Sequence, residues 1–292
     1  MTYRHRDHAG NFGDVLKHVV LALCLEHLKK KDGPFAYIDT HAGIGAYDLG
    51  EGPDGDWAHG VAKVLAADPP AEIAAALAPW LSVVRKLNGD RTDVALAAYP
   101  GSPEIAARLM RRQDRLHLCE LHEDDSRTLQ ARYGGDDRIT TERRDGYAAL
   151  GALLPPRERR GLVLVDPPFE HRDEMAHMAE AAVTALQRWP GGTYLFWRPL
   201  TDMWASERFD LGLAEWLIAE KQFEPEKILR ADLWIRDLDR AGKLAGAGLM
   251  IVNPPYTLET DLLVLLPWLC KTLRQDEEAG WRLDGALTEE VV

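Results

Sequence analysis

The sequence predicts an α/β fold built on an open, mostly parallel sheet of seven strands with an antiparallel last strand. Three observations carry this. Short aliphatic runs alternate with longer amphipathic stretches over residues 115–273. The chain between successive runs, up to the sixth, is long enough for a helix, and such crossovers join parallel strands right-handedly. The first run, FAYID (35–39), leads into a glycine-containing loop, THAGIGAYDLG, the place where open parallel sheets bind ligands.

Each element has its own warrant. From Gly13 to Lys31, Val15, Leu16, Val19, Val20, Leu23 and Leu28 recur at three and four residues and mark one helical face. Lys29, Lys30 and Lys31 suit the C-terminal end of its dipole, and Gly33-Pro34 stops it. Residues 51–100 are Ala-rich, helical in pattern and broken by Pro69-Pro70, so they read as a helical insertion. Ser102 then looks like an N-cap, with Pro103 at the first helical position, where its missing N–H costs nothing. Strands follow at 115–121, 138–144, 161–166, 192–197, 226–235 and 248–253, with helices between the earlier ones and a last helix after 257. Only RDLDRAGKLAGA joins the sixth strand to the seventh. That loop is about the minimum for a crossover, so an antiparallel hairpin is expected. The domain organisation is thus a core of residues 1–50 and 101–275, the insertion 51–100, and an acidic tail 276–292.

Composition narrows the function. The chain has 292 residues, enough for a sizeable core. It has no run of eighteen apolar residues and a polar N-terminus, MTYRHRDHAGN, so neither a membrane span nor a signal peptide is expected and the reading is cytoplasmic. Cys24, Cys119 and Cys270, without CxxC spacing, read as reduced thiols, and no Cys/His cluster has zinc-ligand spacing, so no metal is expected. The net charge of −12 argues against an all-over basic surface, but residues 1–31 carry +3 and residues 276–292 carry −5. A local polyanion site on an acidic protein is therefore compatible with composition.

Two stretches share a pattern: LVLVDPPF (162–169) and LMIVNPPY (249–256). The first ends the fourth, parallel strand at Asp166; the second ends the seventh at Asn253. If the seventh strand is antiparallel, its end lies at the opposite edge of the sheet from any ligand. Asp166-Pro167-Pro168-Phe169 is therefore the candidate active motif, and Asn253-Pro254-Pro255-Tyr256 a structural echo that breaks a strand and starts a helix. An Asp/Asn-Pro-Pro-aromatic turn in this order of elements resembles class I S-adenosylmethionine-dependent methyltransferases of the Rossmann-like type that modify amines. The chemistry fits: an exocyclic adenine amine is a poor nucleophile, and Asp166 and the Pro167 carbonyl can each accept one of its N–H bonds. Two prolines fix those acceptors in advance, and Phe169 offers a stacking face.

The cofactor candidates follow the strands. Gly43 and Gly45 allow close backbone approach after strand one, beside His41. The helix at Ser102 would present free N–H groups to a carboxylate. Glu120 ends strand two, where an acid suits ribose hydroxyls. Asp145-Gly146 ends strand three, and Asp145 is suited either to an adenine amine or to capping the next helix. On composition alone Tyr3 to His8 read as an unstructured terminus, and Lys17 and His18 as a surface helix face.

Taken together, YRHxxHAGNxxDVLKH, YIDTHAGIGAYDL, YPGSPxIAARLM, ELH, DGY, LVDPPF and GLMIVNPPY resemble the bacterial ribosomal large-subunit methyltransferase J family over about residues 2–275. The resemblance implies an S-adenosylmethionine-dependent enzyme, monomeric, that methylates N6 of an adenine in 23S rRNA. It implies cofactor contacts at Lys17, His18, His41, Ser102, Glu120, Asp145 and Gly146, Asp166 as the catalytic residue, and Tyr3 as a substrate contact. The residues themselves add Gly43 and Asp166 to the cofactor set, Pro167 and Phe169 to the catalytic turn, and Arg4, His5 and Phe169 as phosphate or stacking contacts to the substrate. It makes the insertion a helical subdomain with a role in RNA binding. Phe169 departs from the tyrosine of many amine methyltransferases and lacks its hydroxyl. Competing readings are methylation of a DNA adenine or a protein glutamine, and a non-catalytic RNA-binding module.

Overall fold

The computed structural model describes residues 8–49, 55–89, 96–239 and 244–285. Tyr3, Arg4 and His5 lie outside the described residues. The chain opens with α1 (Phe12–Lys29), β1 (Ala36–Asp39) and the short β2 (Ala46–Asp48), then α2 (Val61–Ala66), α3 (Ala71–Leu87), β3 (Ala98–Pro100) and α4 (Ser102–Leu109). Regular alternation follows: β4 (Arg115–Cys119), α5 (Glu123–Tyr133), β5 (Ile139–Glu142), α6 (Gly146–Leu153), β6 (Gly161–Val165), α7 (Glu174–Arg188), β7 (Thr193–Pro199) and α8 (Met203–Lys221). β8 (Ile228–Trp234), β9 (Gly246–Val252), α9 (Leu258–Leu273) and β10 (Gly280–Gly285) complete it.

The main sheet has eight strands in the order β10-β8-β9-β7-β6-β1-β4-β5. β5, β4, β1, β6 and β7 are parallel; β9 runs antiparallel between β7 and β8, and β10 antiparallel to β8. The seven expected strands are all present, and the β8–β9 hairpin is antiparallel as its short loop requires. The sheet nevertheless has an eighth strand, so β9 is not the last. Residues 280–285, read from their acidity as part of a tail, pair with β8 from end to end. Beyond the ladder itself, Leu283 packs against the core, Arg282 donates to Asp232 at 2.6 Å, and Arg230 is paired with Asp284.

Both faces of the sheet are covered at its centre, which explains why β6 and β9 are apolar from end to end, whereas the outer strands β4, β5 and β10 carry polar residues. Tyr37, Leu162 and Leu164 face one core, shared with α1, α3, α4, α5 and α9. Ile38, Val163 and Val165 face the other, shared with α6, α7 and α8. Leu77 and Trp80 of α3 are fully buried in the first core, so the helical insertion has no separate core. β2 pairs with β3 and closes its base.

The order of strands fixes the site. From β1 the chain goes outward through β4 to β5, then returns to β6 on the other side of β1. The crevice beyond the carboxyl ends of β1 and β6 is therefore the switch point, where ligands bind in open sheets.

Candidate active site

An open cleft of about 1220 Å³ lies at that switch point. Small-molecule pockets are usually about 300–1,000 Å³, so this one has room for a cofactor and a second group. Lys17, His18, His41, Gly43, Ser102, Glu120, Asp145, Gly146, Asp166, Pro167 and Phe169 all line it. Thus residues scattered over more than 150 positions meet at one rim. Asn253 and Tyr256 do not line the cleft.

The candidate catalytic turn is fixed from two sides. β6 delivers Asp166 to the cleft, and the first turns of α1 deliver Lys17 to it. The Lys17 ammonium donates to Asp166 Oδ2 at 2.5 Å and pairs with Asp14 Oδ1 at 2.8 Å. Lys17 and His18 are buried, not on a surface face as composition suggested. Burial alone would lower the Lys17 pKa, but Asp14 and Asp166 outweigh it and hold the ammonium above the usual lysine range. Its charge lies 5.8 Å from the Trp197 ring, which also packs against Phe169 at 5.8 Å between centroids. Phe169 has φ +51. A left-handed conformation at a bulky aromatic costs about 1–3 kcal/mol and concentrates at functional sites. His18 Nδ1 is 2.8 Å from the Tyr99 hydroxyl, and the two rings stack at 5.5 Å, so the helix is held on its inner side.

On the other side of Asp166 the cleft is made by loops after β1, β4 and β5. Gly43 has φ +59, and a Cβ there would lie 2.1 Å from the Tyr47 hydroxyl, so a larger residue would strain the backbone and have to push the Tyr47 ring aside. Its N–H donates to Glu120 Oε2 at 2.8 Å, and the His122 N–H donates to Oε1 at 2.8 Å. Burial raises the Glu120 pKa, against the pull of those two amides. A Cβ on Gly146 would lie 2.2 Å from the Thr40 carbonyl, so the start of α6 sits directly on the β1 loop. Asp145 is the N-cap of α6, accepting from Ala148 N–H at 2.8 Å, while lining the cleft; both of its expected roles fit one position. His41 is half-buried, and desolvation pushes it down to about 4 despite Asp166 and Asp145, so it is a neutral ring at physiological pH.

Ser102 is a correction. Gly101 is the N-cap of α4, and the Ser102 side chain caps nothing. Its hydroxyl donates to Asp39 Oδ2 at 2.6 Å instead. Asp39 is fully buried and also accepts from the Tyr37 hydroxyl at 2.7 Å. Burial pushes its pKa up to about 6. Asp14 lines the cleft and Asp39 lies buried behind it, holding Ser102; neither is among the expected site residues. Asp14 stands three residues before Lys17, the spacing of a helical ion pair, and Asp39 ends an aliphatic strand as Asp166 does; both signals were available.

The model of the family described as Ribosomal RNA large subunit methyltransferase D, RlmJ, matches residues 32–286. The chain belongs to this family. The Ribosomal RNA large subunit methyltransferase J of Haemophilus influenzae is 38% identical over 294 residues, covering 99% of this chain and all of the relative. That of Escherichia coli K12 is 38% identical over 273 residues, 92% of each. A solved Legionella pneumophila protein superposes with a TM-score of 0.85 at 31% identity, covering 96% of this chain and 99% of its own. In this methyltransferase family's terms, the cleft at the β1–β6 switch point is the candidate active site. Among the described residues no group of His, Cys, Asp and Glu could hold a metal ion, and no helix is long and apolar enough to cross a membrane.

Proposed function

We propose that this protein transfers a methyl group from S-adenosylmethionine to N6 of an adenine in 23S rRNA. The observation that carries the reading is the Asp166-Pro167-Pro168-Phe169 turn, pinned by Lys17 at the end of a central parallel strand and opening on a cleft with room for cofactor and base. The names of the relatives at 38% identity supply the RNA class.

The cofactor fits the residues present. The glycine at 43 and the close seat of Gly146 leave backbone exposed, and Glu120 offers a carboxylate for ribose hydroxyls. Asp14, Glu120, Asp145 and Asp166 line the cleft and make it acidic, which favours a sulfonium and an ammonium. His18, His41 and Ser102 complete the lining. Bound there, S-adenosylmethionine would supply an electrophilic methyl group. The chain's own residues do the rest by placement. Lys17 uses Asp166 Oδ2, which leaves Oδ1 to accept from the target amine, and the Pro167 carbonyl accepts its second N–H. With both hydrogens held, the nitrogen lone pair turns out of conjugation with the ring. Phe169, backed by Trp197, gives the flipped base a face to stack on, worth about 1–3 kcal/mol. Lys17 acts here as a positioning residue for Asp166.

The test is incubation of the purified protein with labelled cofactor and separate pools of rRNA, DNA and protein. Label in 23S rRNA, recovered as N6-methyladenosine, is expected. Label confined to the DNA or protein pool, or no turnover with any, would overturn the reading.

A further inference from the structure

The acidic cleft sets a problem for an RNA enzyme, because its carboxylates repel phosphates. Cations gather instead at the opposite end of the sheet. Three segments meet there: residues 26–35 at the end of α1, 111–115 before β4, and 155–160 before β6. Their backbones are tied together by arginines. The Gly33 carbonyl accepts from Arg111 Nη2 at 3.0 Å and from Arg160 Nη1 at 2.9 Å. Arg111 Nη1 donates to the Lys31 carbonyl at 2.9 Å, and Arg160 Nη2 to the Leu28 carbonyl at 2.9 Å. The three segments hold nine Lys and Arg against four Asp and Glu, a net of +5 in a chain of net −12, which leaves −17 for everything else. One of the four acids, Asp114, is fully buried and paired with Arg111, so setting that pair aside leaves the net at +5; Asp261 of α9 also faces Lys30.

The echo turn belongs to the same surface. Tyr256 is 80% exposed. Its ring packs edge-on to His27 at 5.1 Å, and Lys30 Nζ lies 5.7 Å from its centroid. The His27 pKa is lowered by partial burial and then by Lys30, Lys31 and Arg160, which places those charges around one ring. The dipole of α1 accounts for cations at its C-terminus. It does not account for Arg115, Arg157, Arg159 and Arg160, which stand before or at the start of strands.

We propose that this surface is a second RNA-binding site, which grips the phosphate backbone of folded rRNA flanking the methylated nucleotide, with Tyr256 as a stacking face. The proposal rests on the rRNA reading above. The span is suitable: Lys17 and Lys30 are thirteen residues apart on one helix, about 20 Å at 1.5 Å per residue. Phosphate contacts supply most sequence-independent affinity and release counterions. The far surface thus provides affinity that the acidic cleft cannot, while the cleft provides the chemistry.

The experiment compares the wild-type chain with the variant K30Q/K31Q/R112Q/R159Q, four exposed positions. Binding is measured against salt concentration for a folded 23S rRNA fragment, and methylation for a short single-stranded oligonucleotide carrying the mapped target. For the folded fragment the variant should bind about tenfold more weakly, with a log–log salt slope shallower by roughly 2–4. Cofactor binding by calorimetry, circular dichroism and the rate on the oligonucleotide should match wild type. An unchanged affinity and slope for the folded fragment would overturn the proposal. So would an equal loss on the oligonucleotide, which would put these cations in the cleft's own business. If the quadruple variant misfolds, K31Q alone should still lower the slope by about 1, and no change would count against the site. Wild-type protein that binds no RNA at all would instead sink the functional reading.

Discussion

The two Pro-Pro turns have nearly the same sequence and opposite fates. Asp166 has its carboxylate at the rim of the cleft, held by Lys17. Asn253 has spent its amide: Nδ2 donates to the Pro190 carbonyl at 2.9 Å and the Gly192 carbonyl at 2.7 Å, and its own carbonyl accepts from Thr193 Oγ1 at 3.0 Å. Each turn contains one left-handed non-glycine residue, Phe169 at φ +51 and Asn253 at φ +53. Asparagine adopts that conformation readily, whereas a bulky aromatic does not. The echo turn is therefore locally satisfied, and the first turn is strained with its carboxylate lining the cleft beside Lys17. What separates them is strand direction: β6 ends at the switch point, β9 at the other end. A motif carries chemistry only where the topology delivers it.

The largest break in this comparison is Asp166→Ala. It should lower methyl transfer by about 10²–10³-fold or more, as loss of a prearranged polar contact does, with thermal unfolding near wild type. Next comes Lys17→Met. It leaves Asp14 and Asp166 facing each other without their cation, which costs about 3–5 kcal/mol for a buried pair and should also disorient Asp166. Urea unfolding and turnover should both report the loss, and an unaltered turnover would remove Lys17 from the mechanism.

Smaller effects sharpen the contrast. Phe169→Ala should raise the KM for RNA about tenfold, equivalent to about 1.4 kcal/mol of lost stacking, while cofactor affinity stays within twofold. Asp39 gives a pH signature. Its folded pKa of about 6 lies above the ordinary 3.8. Its contribution is therefore present below pH 4 and is lost as pH rises through 6, a change of about 3 kcal/mol. Asp39→Asn should flatten the fall in stability between pH 4 and pH 7, measured by urea unfolding of both proteins; parallel curves would contradict the burial argument. Asn253→Ala should cost about 1–3 kcal/mol in stability through the carbonyls it abandons and leave the rate per folded molecule unchanged.

Much of this was legible in the sequence, for physical reasons. The strands facing two buried cores read as runs of aliphatic and aromatic residues, so β1, β6, β7 and β9 could be located, and β4 by the alternation of RLHLC. The loop of RDLDRAGKLAGA was too short for a comfortable crossover, so the direction of β9 could be read, and with it the choice between Asp166 and Asn253. β10 could not be read, because WRLDG binds the sheet through Arg282 and Asp284 rather than through apolar alternation, and its acids resembled a solvated tail. β2 and β3 are three residues each and come from segments about fifty residues apart, below any periodic signal. The Ser102 hydroxyl reads as a cap because a Ser-Pro start to a helix matches the local capping pattern, while the acceptor it actually uses, Asp39, lies sixty-three residues away. Local rules found the elements; contacts across the switch point were set by tertiary structure.

The most direct test is a mass map of 23S rRNA nucleosides after reaction with wild type, Asp166→Ala and Asn253→Ala. One N6-methyladenosine should be present with wild type and Asn253→Ala and absent with a folded Asp166→Ala. The same mark made by folded Asp166→Ala, or lost with folded Asn253→Ala, would show that the wrong turn had been assigned the chemistry.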